Sequence, residues 1–374
     1  MDFNLSEEQS AFKQMVNKYL TDHYDFQKRR DIANSEKAFD SAFWTEAAQM
    51  GWLTLPFSAD KGGLECGPVD TVLFFEELGS TLVLEPFLET LLSAGRVLDQ
   101  SASPQAQKLI DGIISGSTQG ALAVYEGQHS YCPRPDATTL TPSSDGFTLN
   151  GKKSLVYNAP NADFIIVSAR DGSGETALVH VDASKTGLEM NVYPTIDGRQ
   201  AAELTFNDIN LDADDILARG NAADLILKQT QDEGILALCA EYLGGMKATL
   251  EQTVEYAKQR EQYGVAIASF QSIQHMMSDM FIKYELSKSL VYSAAVKLQE
   301  GAEDADMMIA AAKVKTTENA REMSQHAIQI HGAIATTDEY SIGHYLKRII
   351  STTDMFGSPA AHTRRFIAET RKAD

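Results

Sequence analysis

The spacing of apolar residues changes twice along this 374-residue chain, and those changes limit its fold more than any single motif. Up to about residue 118, "SEEQSAFKQMVNKYLTDHY", "DSAFWTEAAQMGWLTL" and "PVDTVLFFEELGSTLV" place apolar residues three to four apart, the period of one helix face. Ser6 stands before the first of them as an N-cap. Between about 119 and 218 the runs shorten and become β-rich: "FTLNGKKSLVYN", "ADFIIVSAR", "ETALVHVD" and "AAELTFNDINL", bounded by Gly, Pro, Asn and Asp. Asn150-Gly151 predicts a hairpin turn, because a type I′ turn needs positive φ at both central positions. From about 222 the helical period returns, with segments predicted to end near Lys258, Glu300, Ile334 and Ile350 and a short one after Pro359. Segregated helices and strands predict an α+β fold that is mainly α. The expected organisation is an N-terminal helical domain over 1–118, a central antiparallel β domain over 119–221 and a C-terminal four-helix bundle over 222–374.

Charge and composition remove several classes of function. A net charge of −20 argues against a nucleic-acid partner, which needs clustered Lys and Arg, although a local basic pocket still suffices for a small phosphorylated molecule. The most apolar stretch, "TVLFFEELGSTLVLEPFLETLL", is interrupted by Glu76, Glu77, Glu85 and Glu89, so no membrane span is expected. "MDFNLSEEQSAF" lacks the basic start and apolar core of a signal peptide, and the expected location is cytoplasmic. Cys66, Cys132 and Cys239 lie far apart without a CxxC pattern, which points away from disulfides and zinc. "GFTLNGKK" has P-loop spacing, but Lys153 stands where Ser or Thr must hold magnesium. His326 and His331, five apart on a helical pattern, cannot share a face as paired metal ligands do.

Two stretches carry chemistry. "REQYG", Arg260 to Gly264, interrupts two long helical patterns with a guanidinium fork suited to a diphosphate, an amide and an aromatic ring. Gln262 and Gln271 offer donors and acceptors to a flavin or adenine edge, and Tyr263 and Phe270 offer stacking faces. A plain alternative is a helix C-cap turned by Gly264, with Arg260 paired to a nearby acid. The second stretch, "AIQIHGAIATTDEYSIGHYLKRI", places Gln329 before a break at Gly332-Ala333.

Together, "R-x-Q-Y-G…F-Q" and "Q-I-H-G" resemble the acyl-CoA dehydrogenase family of flavoenzymes. "GW…P…KGG", "EELG" and "TIDGRQAAELTFNDINL" are similar to the same family, so the resemblance covers nearly the whole chain in the same helix–β–helix order. It implies FAD at a dimer interface, with the diphosphate and adenine end held by the neighbouring subunit's bundle. Arg260, Gln262, Tyr263, Gln271, Gln329 and the backbone of Gly332 and Ala333 would make those contacts. Ala333 and Ala335 stand where the family usually has glycines.

The implied reaction is removal of an α-proton from an acyl-CoA thioester by a Glu, with hydride transfer from the β-carbon to flavin. Where many members place that Glu in a C-terminal loop, this chain has Met355-Phe356-Gly357-Ser358. Other members carry it at the start of the first bundle helix, where Gly234 now stands. Glu233 falls one residue away, and Glu241 lies seven residues on, almost two turns and about 10 Å farther along nearly the same face. Both are candidate bases; the alternatives are a buried paired carboxylate for Glu241 and a first-turn Glu favoured by the helix dipole for Glu233. "VYEGQHSYC" and "LVYN" replace the family's flavin-side "TEPxxGSD" and "W-x-T-N". Leu155 takes the place of the ring-packing Trp and Tyr157 stands near the usual Thr, while Tyr125, Glu126, Gln128 and Ser130 remain as polar contacts. "F-G-small-P-x-x-H" and "AE-x-x-GG" resemble a bacterial subgroup of heteromers that act in steroid or dicarboxylate breakdown. The reading is therefore one subunit of an FAD-dependent acyl-CoA dehydrogenase, paired with a homologous partner in a heterotetramer. The alternatives are a self-sufficient homotetramer using Glu241 or Glu233, a flavin monooxygenase, or a non-catalytic subunit on the same fold.

Overall fold

The computed structural model describes residues 5–127 and 135–373. It divides into two compact units, one of Met1–Asp31, Gly67–Val83 and Ile235–Asp374, the other of Ile32–Cys66 and Leu84–Gly234. Helices α1 (Glu7–His23), α2 (Phe26–Ala33), α3 (Ser41–Gln49), α4 (Pro68–Ser80), α5 (Gly95–Gln100) and α6 (Pro104–Ile114) precede the sheet. After it come α7 (Gly220–Gln259), α8 (Gln271–Gln299), α9 (Ala305–His331), α10 (Ile342–Thr352) and α11 (Pro359–Ala373). Helical segments at both ends and a mostly antiparallel sheet between them match the expected fold class. No described helix is long and apolar enough to cross a membrane.

The first unit is helical, and its motifs have packing reasons. Ser6 caps α1 as expected: its Oγ accepts the Gln9 N–H at 3.1 Å while the Gln9 amide oxygen accepts the Ser6 N–H. Where α4 crosses α7 the backbones nearly touch. A Cβ on Gly79 would sit 2.0 Å from the Glu241 carbonyl oxygen, and one on Gly244 would sit 1.8 Å from that of Glu76. The glycines of "EELG" and "AE-x-x-GG" are thus the two sides of one helix crossing. On α9, Lys313 is fully buried with no hydrogen-bond partner for its Nζ among the described residues, 5.8 Å from the Tyr242 ring centroid. Burial pushes its pKa down to about 8, against the opposing pull of Cys239 and Asp354.

That lysine makes stability depend on pH. The unfolded chain binds the proton up to about pH 10.5 and the folded chain only to about 8, so stability rises with pH across that window. Below it the buried amine costs ~3 kcal/mol. Lys313→Met is expected to raise urea-unfolding stability at pH 7 by roughly 2–3 kcal/mol and to flatten the rise between pH 8 and 10.5. An unchanged slope in the variant would show that other groups set it.

In the second unit, β1 (Gly120–Ala123), β2 (Thr139–Ser143), β3 (Gly146–Tyr157), β4 (Phe164–Asp171), β5 (Thr176–Asp182), β6 (Leu188–Pro194), β7 (Gln200–Leu211) and β8 (Ile216–Arg219) form one sheet. Its order is β6-β7-β3-β2-β4-β5-β8, with β1 also paired to β4. Two pairs, β1–β4 and β2–β4, are parallel and the others antiparallel. Ile165, Val167, Val179, Val181, Leu204 and Phe206, all at most 1% exposed, form its core.

The expected turn at Asn150-Gly151 does not exist. β3 runs straight through it, and the chain reverses at Ser144-Asp145. The pair instead makes a β-bulge against β7, where register shifts between Leu149 and Gly151. Asn150 exchanges hydrogen bonds with Asp208, donating to its carboxylate and accepting its N–H, both at 2.9 Å. Gly151 is required because a Cβ there would lie 2.6 Å from the Thr138 Cα. Asn-Gly serves a bulge as well as a turn, and only the partner strand distinguishes them.

Candidate cofactor-binding site

The elbow after α7 is a miniature hairpin, not the simple C-cap weighed from sequence. β9 (Glu261–Gln262) pairs antiparallel with β10 (Val265–Ala266), with Gln262 opposite Val265. Tyr263 and Gly264 form the turn between them at φ 54° and 80°, the positive pair a type I′ turn demands. Left-handed backbone is uncommon for an aromatic residue, yet Tyr263 is held there with its side chain in solvent, 94% exposed. The Ile267 N–H donates to the Arg260 carbonyl at 2.8 Å, and buried Ile267 anchors the loop. Arg260, Gln262 and Gln271 are exposed, and no described acid pairs with Arg260. The alternative in which a neighbouring carboxylate holds this guanidinium therefore fails.

The second motif is attached to the first. α9 stops at His331, and Gly332 breaks it at φ 69° and ψ −146°, backbone that favours glycine. Ala333 is the second residue of a 3₁₀ turn over Gly332–Thr336 and has no positive φ, so alanine sits there unstrained. Gln329, Gly332 and Ala333 are all exposed. His331 is buried between Tyr256, whose ring stacks at 4.3 Å, and Tyr340 at 5.3 Å. The Tyr256 hydroxyl donates to the His331 carbonyl at 3.3 Å, and the Arg260 N–H donates to the Tyr256 carbonyl at 2.8 Å. His331 Nδ1–H donates to the Ala327 carbonyl at 2.8 Å, and burial lowers its pKa, keeping the ring neutral. Tyr256 and His331 thus tie "REQYG" to "QIHG", two segments that between them carry an unpaired guanidinium, exposed amide side chains and an exposed tyrosine. That donor set fits the diphosphate and adenine end of FAD.

The candidate bases are engaged. Glu241 accepts from Arg348 Nη1 in a buried ion pair, and Arg348 Nη2 also donates to the Val83 carbonyl at 2.9 Å. Glu233 accepts from Arg96 Nε at 2.7 Å and from the Gln229 amide at 3.1 Å. It is not a first-turn residue: α7 begins at Gly220, so the dipole explanation for Glu233 is withdrawn. Sequence spacing carried no sign of Arg96 or Arg348. In the loop expected to bear the family's Glu, Phe356 is buried at φ 58°, and the ring of His362 donates to its carbonyl at 2.9 Å.

Of the described positions that resemble the family's flavin side, Glu126 and Tyr157 are also engaged. Burial would push the Glu126 pKa up, but hydrogen bonds from the Ala137 N–H, Lys153 and Thr138 outweigh it and hold the carboxyl at about 2. Lys153 is buried, bonded to Glu126 at 2.7 Å and Ser168 at 3.0 Å, and its burial outweighs that pairing to bring its pKa to about 8. Glu126 thus ties the Asp136–Thr138 backbone to Lys153. Gln128 and Ser130 lie outside the described residues. Tyr157, 6% exposed, faces the guanidinium of Arg199 at 4.9 Å. Arg199 in turn donates to Asp197 at 2.9 Å and Glu89 at 3.1 Å. Freeing Arg199 from these buried carboxylates would cost on the order of 3–5 kcal/mol.

One chain that carries a helical unit with an exposed elbow suited to a diphosphate, and a mostly antiparallel sheet unit, fits a class of flavin-dependent oxidoreductases. Residues 6–117 match the acyl-CoA dehydrogenase N-terminal domain and 226–370 the acyl-CoA dehydrogenase C-terminal domain. The chain belongs to the acyl-CoA dehydrogenase family of FAD-dependent oxidoreductases. An L-prolyl-(peptidyl-carrier protein) dehydrogenase of Serratia sp. (strain ATCC 39006) is 29% identical, covering 96% of this chain and 95% of its own. Among solved structures, an FAD complex of PigA has a TM-score of 0.91 at 27% identity, covering 100% of both chains. A Tcur3481-Tcur3483 steroid ACAD variant has a TM-score of 0.88 at 26% identity, covering 98% of both.

Proposed function

We propose that this chain is one subunit of a heteromeric acyl-CoA dehydrogenase that introduces an α,β double bond into an acyl-CoA thioester. Its helical unit would grip the diphosphate and adenine end of FAD seated mainly in a homologous partner. The observation that carries this reading is the contrast in engagement: Arg260, Gln262, Tyr263, Gln271, Gln329, Gly332 and Ala333 are all exposed, while Glu233 and Glu241 are both held by arginines. When bound, FAD supplies the hydride acceptor. Arg260 would neutralise diphosphate charge, Gln262, Gln271 and Gln329 would orient the tail, and Tyr263 would cover an aromatic face. α-Proton removal would fall to a carboxylate of the partner, since here Phe356 cannot accept a proton. A self-sufficient homomer would need Glu241 to leave Arg348 or Glu233 to leave Arg96. The acyl group is proposed to derive from a steroid side chain, which rests on the likeness to the steroid ACAD variant.

Co-expression with a homologous partner chain should yield a mixed oligomer on gel filtration carrying FAD and oxidising a steroid acyl-CoA. A flavin-loaded, active homomer and no mixed species would reject the heteromeric reading.

A further inference from the structure

We infer that His331 is a positioning residue for the grip on FAD: its buried ring fixes the Gly332-Ala333 break against the end of α7 that carries Arg260. The inference rests on the proposed function, in which both segments hold the diphosphate and adenine end, and deepens it by naming what sets their geometry. His331 is 4% exposed, so its ring is covered by protein and is not offered to a ligand. Its contacts reach Ala327 on its own helix, Tyr256 on α7 and Tyr340 on the segment before α10.

The ring closes a loop. His331 opens and Tyr340 ends the segment that holds Gly332 and Ala333, and the two rings meet with centroids 5.3 Å apart. Ser341, next in the chain, donates its hydroxyl to the Gln252 side-chain oxygen at 2.6 Å. Inside the segment Ala335 is fully buried, and a Cβ on Gly343 would lie 2.4 Å from its carbonyl oxygen. The segment is therefore pinned at both ends and in its middle. Gln252, Tyr256 and Arg260 follow one another at four-residue spacing, which makes one row along a helix surface. Two members of that row hold the segment. The third is Arg260, whose N–H still bonds to the Tyr256 carbonyl at 2.8 Å. Stacking on Tyr256 needs only an aromatic ring, but the 2.8 Å bond from Nδ1–H to the Ala327 carbonyl needs an imidazole, and it fixes how that ring is turned. Groups held in place before a ligand arrives lose less freedom when it binds.

The test is calorimetric titration of FAD into the assembled, flavin-stripped oligomer, at a temperature where circular dichroism shows each variant folded. His331→Ala is expected to weaken FAD binding about tenfold, and His331→Phe, which keeps the stack, about threefold. Tyr256→Phe removes only the hydroxyl bond to the His331 carbonyl and should also weaken binding about threefold. In an Arg260→Ala background, His331→Ala should weaken binding by less than about threefold more, because the group it positions is gone. Parent-like affinity in His331→Ala, or a full tenfold loss that persists without Arg260, would overturn the inference. Should His331→Ala not fold, the two milder variants decide, and parent-like affinity in both removes His331 from this role. If Arg260→Ala alone binds FAD as the parent does, the reading beneath the inference fails and takes the inference with it. A loss in Arg260→Ala beside parent-like His331 variants overturns the inference and leaves that reading standing.

Discussion

Arg260→Ala is expected to weaken FAD binding to the assembled enzyme about 100-fold while leaving the flavin-free chain as stable as before. Two charge-assisted hydrogen bonds from one guanidinium to a diphosphate, at roughly 1.5 kcal/mol each, sum to about 3 kcal/mol, and 1.4 kcal/mol is tenfold. Stability should be unaffected because Arg260 is exposed and no described acid pairs with it. Its main-chain contacts to Tyr256 and Ile267 survive the substitution. Melting temperatures must be compared without FAD, since bound ligand itself stabilises. Arg260→Lys should recover charge but not the two-pronged geometry and fall between the two. If flavin retention by the mixed complex is unaltered in Arg260→Ala, the elbow has no part in holding FAD. Loss of melting temperature without FAD would instead mean that the residue serves the fold.

How much of this was legible beforehand depends on how local the signal is. The switches between helical and strand period depend on neighbours only a few residues apart, and they placed helices and sheet correctly. The Ser6 cap is equally local: Ser6 and Gln9 are three apart. "REQYG" and "QIHG" stand out as candidate segments because an Arg fork and a Gly break are local features, and the resemblance to the family supplies their proposed role. That Tyr256 and His331, 75 residues apart, tie them together was not visible. Nor could spacing reveal ion pairs whose partners lie 107, 110 and 137 residues apart, Glu241–Arg348, Glu89–Arg199 and Arg96–Glu233. Asn150-Gly151 failed for a related reason, since the choice between turn and bulge belongs to Asp208 on the facing strand. Tyr263-Gly264 went unread as a hairpin turn because tyrosine is an unusual first residue there.

The Glu241–Arg348 pair separates a structural from a chemical role for Glu241. Both side chains are buried, Glu241 at 8% and Arg348 at 2% exposure, beside the tight crossing of α4 and α7. Arg348→Met removes the cation and strands the carboxylate, so unfolding free energy should fall by about 3–5 kcal/mol. Met in both positions leaves no buried charge, and the double variant should recover most of that loss, because a buried pair is often matched by apolar residues of similar volume. Recovery would show that the charges require each other and that the fold does not require either. Turnover of the assembled enzyme then decides the chemistry. With the base on the partner, the refolded double variant should keep its turnover within about threefold, the scale of a small packing change at the site. If stability returns and turnover collapses, and Glu241→Gln alone reproduces that collapse, the base lies on this chain and the heteromeric reading must give way.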